Sequence, residues 1–208
     1  MEQVLDVCKR PYDKDYPVVC MDESPQQLIE DVNHTDIEPE KEERVDYEYI
    51  RHGVANTFMA NEPLKGRRLV EITEQKTKKD WAKFIRKISD EMYPKARKIT
   101  LFMDNFKTHT IGAFYEAFQP EEAKRLADRF DFVFTPKHGS WLHMAGIELQ
   151  HVLSGQCLNR HIPAIEKMKK EVIAWKKSRN NQNAKINWQF TTKDARIKLK
   201  RLYPSFDD

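Results

Sequence analysis

Two aspartates, Asp22 and Asp104, each stand at the exit of a short apolar run: Pro17-Val18-Val19-Cys20-Met21 leads into the first and Ile99-Thr100-Leu101-Phe102-Met103 into the second. Apolar runs of this length bounded by polar residues read as buried strands. The carboxyl end of a strand is where an α/β sheet turns into loops and displays its chemistry. Two acids delivered there on neighbouring strands would converge and repel. Like charges so placed are tolerated only when one is protonated or a cation bridges them. A hard divalent ion such as Mg²⁺ (or Mn²⁺) is suited to that role, because it prefers oxygen ligands and keeps waters for substrate phosphates. The third carboxylate that such a pair would need is missing. The alternative is two unrelated strand-end aspartates placed by turn chemistry.

The elements that must position the pair can be read in order. A first strand is predicted over about 16–22. An acidic, Pro39-bearing stretch over about 31–45 reads as a loop or flexible insertion. Tyr47 to Ile50, Val54 to Met59 and Arg68 to Thr73 are rich in aromatic and β-branched residues. The breaks between them, Arg51-His52-Gly53 and Asn61 to Gly66, suit an antiparallel meander. Trp81, Phe84, Ile85, Ile88 and Met92 recur at three and four, predicting an amphipathic helix over 78–93 closed by Pro94. A strand ending at Asp104, two helices near 110–118 and 121–129, a strand over Asp131–Thr135 and a helical tail from near Trp141 follow. This order is the ribonuclease H-like (retroviral integrase-like) arrangement, an α/β fold with a five-stranded mixed sheet flanked by helices and a C-terminal helical extension. In it the first and fourth strands are adjacent, which would bring Asp22 and Asp104 together. Fold alone does not set the chemistry.

Composition bounds the rest. A chain of 208 residues suits a single domain, with a core over 1–160 and a basic helical extension over 161–208. No apolar stretch approaches the ~20 residues of a membrane span, and no signal-peptide pattern opens the chain, so no membrane partner is expected. Cys8, Cys20 and Cys157 are widely spaced without a CxxC pair, which argues for reduced thiols and a cytoplasmic location. The net charge of +3 conceals an asymmetry. Nine acids face two bases between Asp22 and Arg44, whereas thirteen bases face three acids from Arg160 to Arg201. A basic C-terminal third that includes Lys169, Lys170, Lys176, Lys177 and Arg179, interleaved with Trp175 and Trp188, suits a polyanion such as DNA held near a metal centre. A solvated helix face is the alternative.

The individual motifs carry a resemblance. Val18-Val19-Cys20-Met21-Asp22-Glu23 resembles the first acidic motif of DDE transposases of the mariner-like superfamily, and Met103-Asp104-Asn105-Phe106-Lys107-Thr108-His109 resembles the second. Residues 135–149, Thr-Pro-Lys-His-Gly-Ser-Trp-Leu-His-Met-Ala-Gly-Ile-Glu-Leu, resemble the third, in the form found in the bacterial insertion sequence 630 family. The likeness extends over nearly the whole chain, including Arg10-Pro11-Tyr12-Asp13 and Tyr47-Glu48-Tyr49. It implies a cut-and-paste transposase catalytic domain in which carboxylates hold two Mg²⁺ or Mn²⁺ ions for in-line attack on a phosphodiester. Asp22 would bridge both metals and Asp104 would bind one. The implied partners are transposon terminal inverted repeats, target DNA and a second copy of the chain, and the implied setting is the bacterial cytoplasm and nucleoid. Relatives carry helix-turn-helix modules ahead of this domain. None precedes the first strand here, so end recognition is expected to come from elsewhere.

The chain departs from that pattern at the third motif. The family places asparagine where His143 stands and its third catalytic carboxylate where Gly146 stands. Glycine binds no metal through its side chain, and in a helix it costs roughly 1 kcal/mol relative to alanine. Glu148 is the nearest acid, but two residues of helix are about 200° of rotation, so it is expected to face away. His143, one turn before Gly146, could present an imidazole to the metal, although Mg²⁺ prefers oxygen. A two-aspartate site with impaired strand transfer is the expectation. His109 reads either as a DNA or second-shell contact or as a capping or packing residue. Glu23 alternates to the other strand face, which suggests a structural ion pair. Lys137, His138 and Ser140 precede a helix N-terminus suited to phosphate, or form a simple turn. Trp141 reads as a core anchor. The acidic insertion stands where mariner-like relatives put a loop that clamps a partner subunit. A non-catalytic DNA-binding or assembly subunit is the competing function, and a generic metal-dependent nuclease a third.

Overall fold

Five strands pair into one sheet, and their register sets where the two aspartates go. The structure is a computed structural model that describes residues 2–32, 48–107, 109–135 and 144–203. β1 (Val18–Asp31), β2 (Tyr49–Glu62) and β3 (Arg67–Thr73) are consecutive antiparallel neighbours. β4 (Ile99–Met103) pairs in parallel with β1, and β5 (Phe130–Phe134) in parallel with β4. The order across the sheet is β3-β2-β1-β4-β5, so β1 and β4 meet in its interior. This is the ribonuclease H-like arrangement that the element order predicts.

Alternation of side chains splits the core between two faces. On one face Val19, Met21, Phe58, Leu101 and Met103 lie beneath three helices. These are α2 (Lys78–Lys87), α3 (Ile111–Ala117) and α4 (Pro120–Arg129). α2 opens with a capping box between Thr77 and Asp80 and buries Trp81, Ala82, Phe84 and Ile85, the predicted stripe. Its last turn widens over Ile88–Met92, where the Tyr93 amide donates five residues back to the Ile88 carbonyl at 3.0 Å. Pro120 occupies the first position of α4, where its missing N–H costs no helical bond.

The opposite face is covered by both ends of the chain. α1 (Glu2–Cys8) and α5 (Met144–Ile147) contribute Val4, Leu5, Val7, Met144 and Ala145 against Cys20, Phe102 and Val133. α5 runs into a wide-turned helical stretch, Glu148–Leu158, and α6 (Ile165–Asn181) follows. Together these two pack Leu149, Leu153, Met168, Val172 and Trp175 onto Met59, Val70 and Ile72. α7 (Thr192–Lys198) returns to α1, where Arg196 pairs with Glu2 at 2.7 and 2.8 Å and Thr192 donates to Asp6 at 2.9 Å.

Two boundary expectations are corrected. Arg51-His52-Gly53 does not separate strands: β2 runs unbroken through it, opposite a register shift between Gln27 and Ile29. Gly53, at φ +97°, takes up that shift as a bulge, so a glycine that reads as a turn is accommodated within the ladder. β1 likewise continues from 22 to Asp31 through Pro25. β4 pairs with β1 only along Val18–Cys20, leaving an open edge beyond, where a residue without an N–H is tolerated. The acidic stretch lies outside the described residues from 33 onward, as do Tyr47 and Trp141. Among the described residues no helix is long and apolar enough to cross a membrane.

Gly66 closes the β2–β3 hairpin at φ +70°, and a Cβ there would meet the Asn183 and Ala184 backbone at 2.6–2.8 Å. Gly53 shares the positive φ but has open space around it. Gly53→Ala is therefore expected to lower unfolding free energy by about 1 kcal/mol, and Gly66→Ala by at least about 2 kcal/mol, in urea denaturation.

Candidate active site

The parallel register pairs Val18 with Thr100, Val19 with Leu101 and Cys20 with Phe102. Two residues further along both strands stand Asp22 and Asp104. Asp22 shares the face of Cys20 and lies across from Met59 on β2, while Asp104 begins the loop after β4. α5, which carries Gly146, packs against β1 and β2 on that same face, and Gly146 is buried. The two aspartates sense each other. Burial pushes the Asp22 carboxyl up to about 6, the Glu23 amide donating to its Oδ1 at 2.8 Å opposes this, and the nearby Asp104 charge adds to the rise.

A cation organises the opposite side of β1. His109 Nδ1 lies 2.8 Å from Asp104 Oδ1 and 3.1 Å from the Asp104 carbonyl oxygen, and Nε2 lies 3.1 Å from Glu23 Oε2. The ring stacks on Trp81 at 5.5 Å and meets the edge of Phe106 at 5.9 Å. Burial disfavours its charge, but hydrogen bonds to Asp104 and Glu23 outweigh that and push it up to about 9. Both nitrogens then donate, as an imidazolium requires. His109 thus ties the loop that bears Asp104 to the strand that bears Asp22. With a side chain only 1% exposed, it is no surface for DNA, which corrects that reading. Glu23 occupies the face opposite Asp22 and also lies 3.9 Å from Lys76.

Glu148 is committed elsewhere. Its Oε1 accepts from Arg68 Nε at 2.6 Å and from Arg179 Nη2 at 3.1 Å. Arg68, whose side chain is fully buried, also donates to the Gly66 and Ala184 carbonyls at 2.9 and 2.8 Å. Asn180 brackets the same residue, accepting from its amide at 2.8 Å and donating to its carbonyl at 2.9 Å. The network clamps α6 and the Glu148–Leu158 stretch to β3. Glu148 is therefore occupied by two guanidiniums, and Arg179 pairs with it while its side chain stays partly exposed. Nothing in the sequence spacing signals this pair, because its members lie 80 residues apart.

The remaining predicted residues are scattered. Lys170 and Lys177 are exposed on α6. Lys169 and Lys176 line a groove of about 350 Å³ between α6 and β3, with Val70, Glu71 and Ile72. α6 packs on the edge strand β3, two strands from the border of β1 and β4. Trp175 is buried with its Nε1 donating to Gln156 at 2.9 Å, which leaves it no face for bases, and Trp188 packs half-buried on the α1 cluster. Lys137, His138, Ser140 and His143 lie outside the described residues.

Comparison with known proteins points one way. Residues 17–169 match the family described as DDE superfamily endonuclease. Among solved structures, the Mos1 strand transfer complex has a TM-score of 0.60 at 12% identity, covering 88% of this chain and 53% of that one. The Mos1 mariner paired end complex with Mn has a TM-score of 0.57 at 12% identity, with 88% and 56% covered. The corresponding complex with Mg has a TM-score of 0.51 at 12% identity, with 90% and 63% covered. The chain thus spans little more than half the length of the Mos1 chains it matches. No match is found among curated proteins.

Two outcomes follow from these contacts. Glu148→Ala leaves two guanidiniums facing a buried vacancy and is expected to cost about 3–5 kcal/mol of stability in denaturant titration. His109 binds its proton more tightly when folded, so its stabilisation is full below pH ~6.5 and is lost as pH rises through about 9. Thermal melts of His109→Gln are expected to lack that decline between those two values.

Proposed function

The chain belongs to the DDE superfamily endonucleases, and from that premise we propose that it is the catalytic domain of a cut-and-paste DNA transposase whose third carboxylate is absent at Gly146. The motifs at Asp22, Asp104 and residues 135–149 support the insertion sequence 630 branch. The observation that carries the reading is the parallel pairing of β1 with β4, which ends in two neighbouring aspartates. The substrates on this reading are transposon terminal inverted repeats and target DNA, engaged by a homodimer. The exposed Lys170 and Lys177 favour a polyanion.

The donor chemistry fits a hard divalent cation. Asp22 and Asp104 offer carboxylate oxygens, and the rise of the Asp22 carboxyl to about 6 reflects burial and a like charge that a Mg²⁺ or Mn²⁺ would relieve. Bound there, such an ion would supply Lewis-acid charge at a phosphodiester and an activated water. The protein's own part is to present Asp22, which is ionised above about pH 6, to hold Asp104 from behind through His109, and to attract the polyanion. Gly146 contributes no donor, so a second cation would be poorly held and strand transfer severely impaired.

One observation favours a second reading, a DNA-binding or assembly subunit without catalysis. Among the described residues no group of three His, Cys, Asp or Glu side chains could hold a metal. Plasmid nicking in Mn²⁺ separates the two. Gly146→Glu is expected to raise nicking at least tenfold over the parent, and Asp104→Asn added to it is expected to abolish the gain. No gain from Gly146→Glu, with salt-sensitive and chelator-insensitive DNA binding, overturns the catalytic reading in favour of the second.

A further inference from the structure

The contact between His109 and Asp104 joins a buried base to an acid that is partly open to solvent: the imidazole side chain is 1% exposed and the Asp104 side chain 46%. An exposed aspartate at the start of a loop has its carboxylate orientation set by whatever donor reaches it, because water alone imposes none. Here one oxygen of Asp104 faces Nδ1 at 2.8 Å. The imidazole cannot turn away, since Nε2 is held by Glu23 at 3.1 Å and the ring is stacked on Trp81, itself stacked on Phe114 at 5.2 Å. Glu23 in turn stands beside Asp22 on β1. The orientation of one aspartate is thereby referred to the strand that bears the other, through a chain of three side chains crossing from loop to strand.

We propose that His109 is a positioning residue, anchored by Glu23, that fixes the Asp104 carboxylate for cation binding beside Asp22. The inference rests on the reading of Asp22 and Asp104 as a cation site. It divides the imidazole into two functions. Nδ1 orients Asp104, and Nε2 only holds the ring.

That division is testable because amide side chains copy one nitrogen each. His109→Asn retains a donor near the position of Nδ1, His109→Gln retains one near Nε2, and both remove the ring from Trp81. Mn²⁺ binding to the full chain, followed by electron paramagnetic resonance of the free ion, reads the outcome without catalysis. His109→Asn is expected to bind Mn²⁺ within about threefold of the parent, and His109→Gln at least about tenfold more weakly, the scale typical for losing a partner that orients a ligand. Equal affinities in the two variants, whether both kept or both lost, overturn the proposal in favour of packing alone. The reverse order overturns it as well. Glu23→Gln, which keeps shape, is expected to weaken binding severalfold and decides the matter if both His109 variants fail to fold; unchanged affinity there overturns the proposal. Asp22→Asn marks the premise: if the parent and Asp22→Asn take up Mn²⁺ equally, the cation site itself is refuted, and the role of His109 with it.

Discussion

A parallel seam between β1 and β4, only three residue pairs long, is the constraint on which the site depends. The parallel register sets Cys20 beside Phe102 and points both strands the same way, so the residues that follow them run on side by side. Both chains emit an aspartate two residues later. The apolar packing of Val19, Met21, Leu101 and Met103 holds the seam in place, each of them fully buried beneath α2, α3 and α4. Burying a side chain of this size contributes about 1.5–3 kcal/mol. The core thus stabilises a juxtaposition of like charges that would not persist in a flexible chain.

The electrostatic cost of that juxtaposition is divided between the two faces of the sheet. On the face covered by α5 the Asp22 carboxyl is raised, chiefly by burial and then by the nearby Asp104 charge. Asp104 is compensated from the other face by an imidazolium that Glu23 also holds. Alternation along β1 sends Asp22 and Glu23 in opposite directions from adjacent positions, so one strand serves both sides of the site. A second buried ion network, Arg68 with Glu148 and Arg179, lies at the far edge of the same sheet and has a different task. Buried pairs of this kind add little net stability but penalise any arrangement that separates them. This one ties β3 to α6 and to the helical stretch that follows Gly146, and so governs how that stretch seats over β1 and β2.

Legibility in the sequence followed the range of the interaction. The α2 stripe, the Pro120 helix start and the strand leading into Asp104 are local patterns, and each formed where the pattern stands. Gly53 was misread as a break and the first strand was ended too early, because a glycine or a polar run has the same local signature in a turn, a bulge or an open strand edge. Which of these occurs depends on what lies alongside. Helical rotation turns Glu148 away from Gly146, but its partners, like the fates of His109, Arg179, Trp175 and Trp188, could not be read from spacing. Their partners are 19 to 86 residues away for the contacts that bury Trp175, Arg179, Glu148 and His109, and a basic or aromatic residue looks alike whether it faces solvent or a buried acid.

By itself the sequence determined the order of elements, the two aspartates that follow apolar runs and the basic character of the C-terminal third. These depend only on residue type and on periodicities of two and 3.6. The tertiary structure alone decided which charges are spent inside the protein and which remain for a ligand. That choice turns on contacts between elements remote in the chain, since an ion pair forms by proximity in space and desolvation, neither of which has a signature in local sequence.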